Sequence, residues 1–365
     1  MTRSDVVIVG GGPGGTTLAA LLGARGVAVT LIERETFPRD KLCGEFLSYD
    51  ALPIVDRLGV DLRGAPPIHG CRVVAGRRSY EFEFPHASRG ISRVSLDQLL
   101  VDVASRNGAE VITGRSVNSL DEVSGSITVG AWGRWCRIDK DLNRTFVRER
   151  RRRSFGFKRH YRGQSNNGLI SLYSFNRGYM GVTDVENDTV NICGLVDASR
   201  LTRHKGRWES FVEALRQEEP AVESAFAPYE PAQETFLSST PVVFRPRSPV
   251  ANGVFMVGDA SGIVDPLAGN GMAMAIQSAL VLAPLLVKLL ENPNSRASIE
   301  AEYCSTHAEL FLPRIRWSRR VARLLSRPAL LEPALRAARG PLVGSFAFGR
   351  TRGNRDEFAR LAERW

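Results

Sequence analysis

Three clusters of residues in this 365-residue chain have the types and spacing to do chemistry. The first is Gly10-x-Gly12-x-x-Gly15, set between the apolar run Val6–Val9 and a stretch of helical character. Glu33 closes the next apolar run, 23 positions after Gly10. In a strand–turn–helix unit Gly10 permits the tight turn, Gly12 lets a pyrophosphate approach the backbone, and Gly15 lets the helix pack on the strand. The helix N-terminus offers free N–H groups and a positive dipole end to phosphate, while Glu33, with Arg34 beside it, stands where a ribose is read. These features predict a dinucleotide site. The fingerprint alone leaves FAD and NAD open.

The second cluster runs from Gly258-Asp259-Ala260-Ser261-Gly262 into Asp265-Pro266-Leu267-Ala268-Gly269-Asn270-Gly271. Here the chain resembles the flavoprotein superfamily of aromatic hydroxylases, geranylgeranyl reductases and flavin-dependent halogenases. The resemblance implies non-covalently bound FAD, with Asp259 on its ribityl chain and Gly269, Asn270 and Gly271 near the pyrimidine edge of the ring. A helix starting there would aim its N-terminus at the flavin N1–C2=O, where negative charge gathers on reduction. Arg93-Val94-Ser95-Leu96-Asp97-Gln98-Leu99-Leu100 is similar to a helix start of the same superfamily, whose arginine reaches the FAD.

The third cluster is Lys41-Leu42-Cys43-Gly44-Glu45. It resembles a stretch of geranylgeranyl reductase-like members in which the cysteine faces the flavin pocket. That makes Cys43 the candidate catalytic residue, as a proton donor, with simple packing as the alternative. The chain departs from the superfamily twice. Trp132 stands where most relatives carry the aspartate of Ala-Asp-Gly, and Ser116 to Val129 leaves room for little more than one hairpin in place of a longer meander. Both departures weaken a built-in nicotinamide site, and no second GxGxxG follows a strand, so NAD(P)H and an external reductase both stay open as electron donor. Halogenation in the superfamily uses an active-site lysine and a Trp-x-Trp-x-Ile-Pro segment. Trp132 and Trp135 have the wrong spacing for it and no Ile-Pro follows. The resemblance therefore implies an FAD-dependent oxidoreductase acting on a hydrophobic small molecule, with carbon–carbon double-bond reduction first and oxygen-dependent hydroxylation next. A flavin-binding electron carrier with little turnover is the third possibility.

The elements that must position these residues can be read from periodicity. Val6–Val9 and Val27–Ile32 are buried strands flanking a helix from Thr16 to Arg25, a minimal βαβ unit. Cys71–Phe84 alternates as a hairpin turning near Gly76, Val94–Arg106 is helical, and Phe155–Val196 is strand-rich with turns at Asn176–Gly178 and Glu186–Asp188. The predicted class is α/β: a Rossmann-type FAD-binding domain (1–70, 88–135 and 250–310) with an inserted antiparallel-sheet substrate domain (71–87 and 136–249) and a helical C-terminus (311–365). Phe155, Phe157, Tyr161, Tyr173, Phe175, Tyr179 and Met180 are expected either to line a substrate wall or to form that sheet's own core. His160 is the one histidine on those strands placed for acid–base work.

The net charge of +10 comes from arginine, 44 of them against five lysines. The block Arg148–Arg153 reads as a solvated face, and no basic helix with interleaved aromatics accompanies a nucleic-acid motif, so no nucleic-acid partner is expected. Cysteines 43, 71, 136, 193 and 304 lack metal-ligand or disulfide spacing, and no metal is expected. A strand entered at Val6 leaves no room for a signal peptide, and the apolar run Ala279–Leu290, broken by Pro284 and Lys288, is too short to span a bilayer. The expected location is the cytoplasm. Phe311–Leu325, where arginines interleave with apolar residues, is expected either to pack its apolar side on the flavin domain or to make peripheral membrane contact. The oligomeric state is not readable.

Overall fold

The computed structural model describes residues 4–148, 154–165, 167–239, 242, 244, 247–338, 340 and 342–365, so most of the basic block at 148–153 lies outside the described residues. Its first sheet grows from β1 (Ser4–Val9), whose Val6–Val9 run is buried, as a central parallel strand requires. This strand pairs in parallel with β2 (Val29–Ile32) on one side and β7 (Gly125–Gly130) on the other. Beyond β2 lies β6 (Glu110–Ile112); beyond β7 lies β15 (Val254–Met256), edged by the antiparallel β14 (Val250–Ala251). From β1 the chain winds outward through β2 and β6, then returns to the opposite side at β7. That reversal is a topological switch point at the carboxyl ends of β1 and β7, where open α/β sheets bind ligands in a crevice.

One face of this sheet is covered by α1 (Pro13–Gly23), α3 (Arg93–Arg106) and α8 (Gly271–Glu291). Pro13 at the first helical turn presets the start of α1, and its small residues Gly14, Gly15, Ala19 and Ala20 let neighbours approach closely. The short α2 (Leu52–Arg57) and the C-terminal α12 (Arg355–Glu363) seal the same core with Ile54, Val55 and Phe358. On the other face, α4 (Ile138–Asp141) adds Ile138 to Val7, Val9 and Met256. The segment before β7 forms a 3-10 turn at Leu120–Glu122 and no hairpin, because residues 125–130 are drawn into the parallel sheet instead.

The second sheet holds nine strands. Its order is β12 (Glu230–Pro231), β8 (Ser154–Arg162), β11 (Thr189–Asp197), β10 (Gly178–Val185), β9 (Leu169–Phe175), β4 (Pro67–Ala75), β5 (Arg78–Gly90) and β3 (Phe46–Leu47), with β13 (Leu237–Ser238) also on β8. All pairs are antiparallel except β4 with β9. Asn187 and Asp188, both at positive φ, turn β10 into β11 with the handedness that suits a twisted hairpin.

Strand alternation decides where the aromatic rings go. Phe157, Tyr161, Phe175 and Met180 share one face and pack with Trp208, Phe211 and Phe226 of α6 (Trp208–Glu218) and α7 (Pro220–Phe226), next to α5 (Ala198–Thr202), while Phe155 and Tyr173 flank that core. They are a domain core and not a wall over the crevice. Tyr179 alone among the candidates joins a different cluster, which includes Leu267 of the Asp265–Gly271 loop. Helix α8 is 21 residues long and apolar enough to cross a membrane, longer than the run from 279 suggests, but 78% of its apolar window is buried, which fits a core helix. The chain then runs through α9 (Arg296–Leu325), α10 (Pro328–Ala337) and α11 (Leu342–Gly349) before α12. In α9, Phe311, Ile315 and Leu325 point inward, and even Arg314 is buried.

Candidate functional site

The glycine loop has the shape its spacing predicts. Gly10 takes a positive φ of 113° and lies so close to Ala131 that a Cβ could not fit, and a Cβ on Gly15 would collide with the Gly10 carbonyl. Gly12 differs: a Cβ there meets nothing within 4 Å. Gly12 caps α1 without a side-chain hydrogen bond, which leaves the first-turn amides open to an anion. Glu33 is buried at the end of β2, accepts from the Gly11 amide at 2.7 Å, and pairs with Arg39 at 2.5 Å. Arg39 also donates to the Gly11 carbonyl at 2.8 Å and lies 3.5 Å from Asp97. Sequence reasoning missed this buried arginine, which holds three motif segments together. The Arg34 side chain is mostly exposed beside Glu35.

Asp259 follows β15 in a 3-10 turn that opens with Gly258 at a positive φ of 63°. Burial raises its carboxyl above the usual range, against the pull of Arg134, Arg247 and Arg93. Arg247 lies over the ring of Phe146 at 3.7 Å and donates to the Arg134 carbonyl, while its Nε and Nη1 are buried without a hydrogen-bond partner. Burial lowers its pKa to about 10, so it stays charged at neutral pH. A half-buried carboxylate facing an underused guanidinium is a polar socket for hydroxyl and phosphate groups. Trp132 fills the space beside Gly130 and donates to the buried Asp139 at 3.2 Å. Asp139 also binds Arg144 at 2.8 Å, so the acid absent at 132 is not replaced by one facing the crevice.

Gly269, Asn270 and Gly271 lead into the uncapped N-terminus of α8. Gly269 is left-handed at φ 57° and pressed against Phe46. The Asn270 amide donates to Asp50 at 3.3 Å, and its buried Oδ1 has no partner. Asp50 also accepts from Gln277 at 3.0 Å and from the Gly353 amide at 2.7 Å. Although burial opposes ionisation, Arg352 and Arg314 hold the Asp50 carboxyl below its ordinary range. Tyr179 fixes the front of the loop, donating to Asp265 at 2.6 Å and accepting from the Leu267 amide at 2.9 Å. Burial lifts the Asp265 carboxyl to about 6.

Cys43 sits where the two sheets meet. Asn191 of β11 donates to its carbonyl at 3.0 Å, and its Sγ accepts from the Glu45 amide at 3.4 Å. Burial raises the thiol pKa above its ordinary value, outweighing the Arg93 guanidinium, so the sulfur keeps its proton at neutral pH. Arg93 forms a two-point pair with the buried Asp97, both contacts at 2.7 Å. It acts electrostatically on Cys43 and on Asp259, placing the thiol and that carboxylate around one guanidinium.

Next to the thiol is a buried charge cluster that the sequence reading did not assemble. Glu45, left-handed at φ 56° and fully buried, accepts from Lys158 Nζ at 2.6 Å, from the Arg93 amide at 2.7 Å, and meets His160 Nε2 at 2.6 Å. Lys158 has no exposed surface and also binds Asp40 and the Lys41 carbonyl. Burial pushes its pKa down, but Glu45 and Asp40 outweigh this and leave it raised. Asp40, Glu45 and His160 offer ligand atoms within 4.8 Å of one another, yet the Lys158 ammonium already serves two of these carboxylates as their cation. The signal was available: Lys158 and His160 are two apart on β8 and therefore share a face, the one opposite Phe157 and Tyr161.

Residues 3–134 match the family described as FAD binding domain. The chain is 24% identical to a tryptophan 2-halogenase of Chondromyces crocatus over 88% of its own length and 67% of that enzyme. It is 35% identical to the menaquinone reductase of Mycolicibacterium smegmatis, over 32% of this chain and 30% of that one. Its fold superposes on a geranylgeranyl bacteriochlorophyll reductase-like protein from Thermoplasma acidophilum with a TM-score of 0.73 and 16% identity, covering 96% of this chain and 95% of the other. Residues 3–134 thus match an FAD binding domain, and the parallel sheet with its glycine loop, the antiparallel sheet and the helical C-terminus share their fold with that reductase-like protein.

Proposed function

We propose that the chain reduces a carbon–carbon double bond of an apolar small molecule, using FAD held between the two sheets. Residues 1–70, 88–135 and 250–310 form the FAD-binding domain in this reading, 71–87 and 136–249 the substrate domain, and 311–365 a helical cover. Gly10, Gly12 and Gly15 shape the pyrophosphate cradle, Glu33 and Arg34 meet the adenosine end, and Arg93, Gly258 and Asp259 hold the ribityl region. Gly269, Asn270 and Gly271 border the ring. The open space above Gly12 and the unpartnered atoms of Arg247 and Asn270 support this fit. When bound and reduced, FAD supplies a hydride equivalent, drawn from NAD(P)H or a separate reductase.

The observation that carries the reductase reading is the protonated Cys43 thiol beside Glu45, Lys158 and His160. Adding a hydride to one alkene carbon leaves the other needing a proton. Cys43 delivers it, and the buried cluster restores the thiol from solvent-derived protons. Such a path needs groups that change protonation without large movement, and hydrogen bonds of 2.6 Å to Glu45 meet that need.

Oxygenation or halogenation is the second reading, favoured by the long match to a tryptophan halogenase. Lys158 is engaged by two carboxylates, which argues against its acting as a free lysine on a halogenating species. One experiment separates the readings. The flavin-loaded protein is incubated with an isoprenoid alkene and reductant, with and without oxygen and chloride, and the product is weighed by mass spectrometry. A gain of two hydrogens without oxygen supports reduction. An oxygen or halogen atom gained only in air overturns it.

A further inference from the structure

The positive charge of this chain is concentrated at one place. Residues 311–350 hold nine arginines and no lysine against a single acid, Glu332. The exposed large apolar side chains gather there too. Among the described residues six are exposed, and five of them lie within 324–346: Leu324, Leu330, Leu342, Val343 and Phe346. Leu342 is 79% exposed and Phe346 61%, so these side chains stand out from the surface.

Helix α11 is fixed in place from beneath. Phe348 stacks on Phe84 with centroids 4.0 Å apart, Trp317 donates to the Ala347 carbonyl at 2.9 Å, and the Gly344 amide donates to Tyr80 at 3.0 Å. Gly344 itself lies so close to Phe82 that no side chain would fit. The inner face of α11 is therefore committed to β5, and the outer one presents Leu342, Val343 and Phe346. The same run of chain exposes Arg316, Arg320, Arg323, Arg327, Arg336 and Arg350, the last 5.4 Å over the Phe346 ring.

We infer that this surface docks on an anionic lipid membrane, with Leu342, Val343 and Phe346 entering the headgroup layer and the exposed arginines of 311–350 binding lipid phosphates. Protruding apolar side chains in an arginine-rich stretch match an interfacial segment, in which buried apolar area and attraction to anionic lipid add together. Trp317 and Phe346 form an edge-on aromatic pair at its centre, the residue types that favour the lipid–water boundary. Most apolar side chains of Phe311–Leu325 are covered and only Leu324 of its large ones is exposed, so the apolar contact falls mainly to the next two helices.

The test is vesicle flotation of the full-length, flavin-loaded protein, which needs no substrate and so stands apart from the proposed reaction. Vesicles of phosphatidylcholine alone are compared with vesicles containing about one third phosphatidylglycerol. The protein is expected to float with the anionic vesicles only, and to be released by high salt. Leu342→Ser/Phe346→Ser should lower the bound-to-free ratio by roughly tenfold or more while flavin content stays unchanged. Arg320→Glu/Arg323→Glu should act likewise. Equal recovery with both lipids, or no flotation, overturns the inference. So does a stable dimer that Phe346→Ser dissociates, which would assign the surface to a second copy of the chain.

Discussion

Replacing Lys158 by methionine removes a fully buried ammonium from its cluster with Glu45, Asp40 and His160. The wild-type Nζ binds Glu45 at 2.6 Å, the Lys41 carbonyl at 3.1 Å and the Asp40 carboxylate. Without it, Glu45 stays fully buried with two carboxylate oxygens served only by His160 and the Arg93 amide. Removing one partner of a buried ion pair costs about 3–5 kcal/mol, and that loss is expected for Lys158→Met at neutral pH. The pH dependence gives a second, independent sign. In the wild type, Asp40 has a folded pKa below its unfolded value, so its contribution is lost only as pH falls through the folded value; burial opposes that shift and Lys158 drives it. Lys158 has a raised folded pKa, so its contribution is lost only as pH rises through that value. Asp40 and Lys158 therefore add little slope to wild-type stability between about pH 5 and about pH 9. In the variant a buried carboxylate lacks its cation, so the folded chain gains protons more readily and stability should rise as pH falls from about 7 to about 5. Urea unfolding of both apoproteins, followed by circular dichroism, reads both effects. Adding Glu45→Gln should recover at least half the loss. A loss below about 1 kcal/mol, or one unchanged across that pH range, would refute the reasoning.

Three further outcomes follow from the site. Gly12→Val should fold normally, because its side chain enters open space, yet bind FAD far more weakly; Gly15→Ala should unfold at lower urea by at least about 1–3 kcal/mol from overpacking against Gly10. Equal melting of the two apoproteins would contradict that contrast. Asp259→Ala should release flavin on dilution, measured by recovered flavin fluorescence; full occupancy would remove Asp259 from the binding set. Asp265, pushed up to about 6 by burial, contributes stability that is present below its unfolded pKa and lost as pH rises through about 6. Asp265→Asn should flatten that part of the stability curve, and an unaltered slope would place its origin elsewhere.

How much of this was legible in the sequence depended on how local each feature is. Gly10, Gly12 and Gly15 act within one turn, so their spacing carried the crevice and the packing of α1. The hairpin turn at Asn187–Asp188 was equally local. The buried partners were not. Arg39 reads as one more arginine in a polar loop, yet it ties Glu33, Gly11 and Asp97 together. Asp50 meets Gln277, Arg314 and Gly353 from segments hundreds of residues apart, which no periodicity reports. Lys158 was hidden by the expectation that lysine is exposed, although its even spacing with His160 on β8 marked a face. For the aromatic residues the sequence left substrate wall and sheet core both open, and strand alternation turned Phe157, Tyr161 and Phe175 toward α6 and α7 as core.

The central claim is that Cys43 hands a proton to the substrate. Its most direct test is a single anaerobic turnover of the reduced, flavin-loaded protein with an isoprenoid alkene in deuterated water, comparing wild type with Cys43→Ala. Solvent deuterium at the protonated carbon is expected in the wild-type product. The variant should keep its flavin and its rate of flavin reduction, but form product roughly a hundredfold more slowly or worse. Product formed by Cys43→Ala at the wild-type rate, with the same deuterium content, would contradict the account.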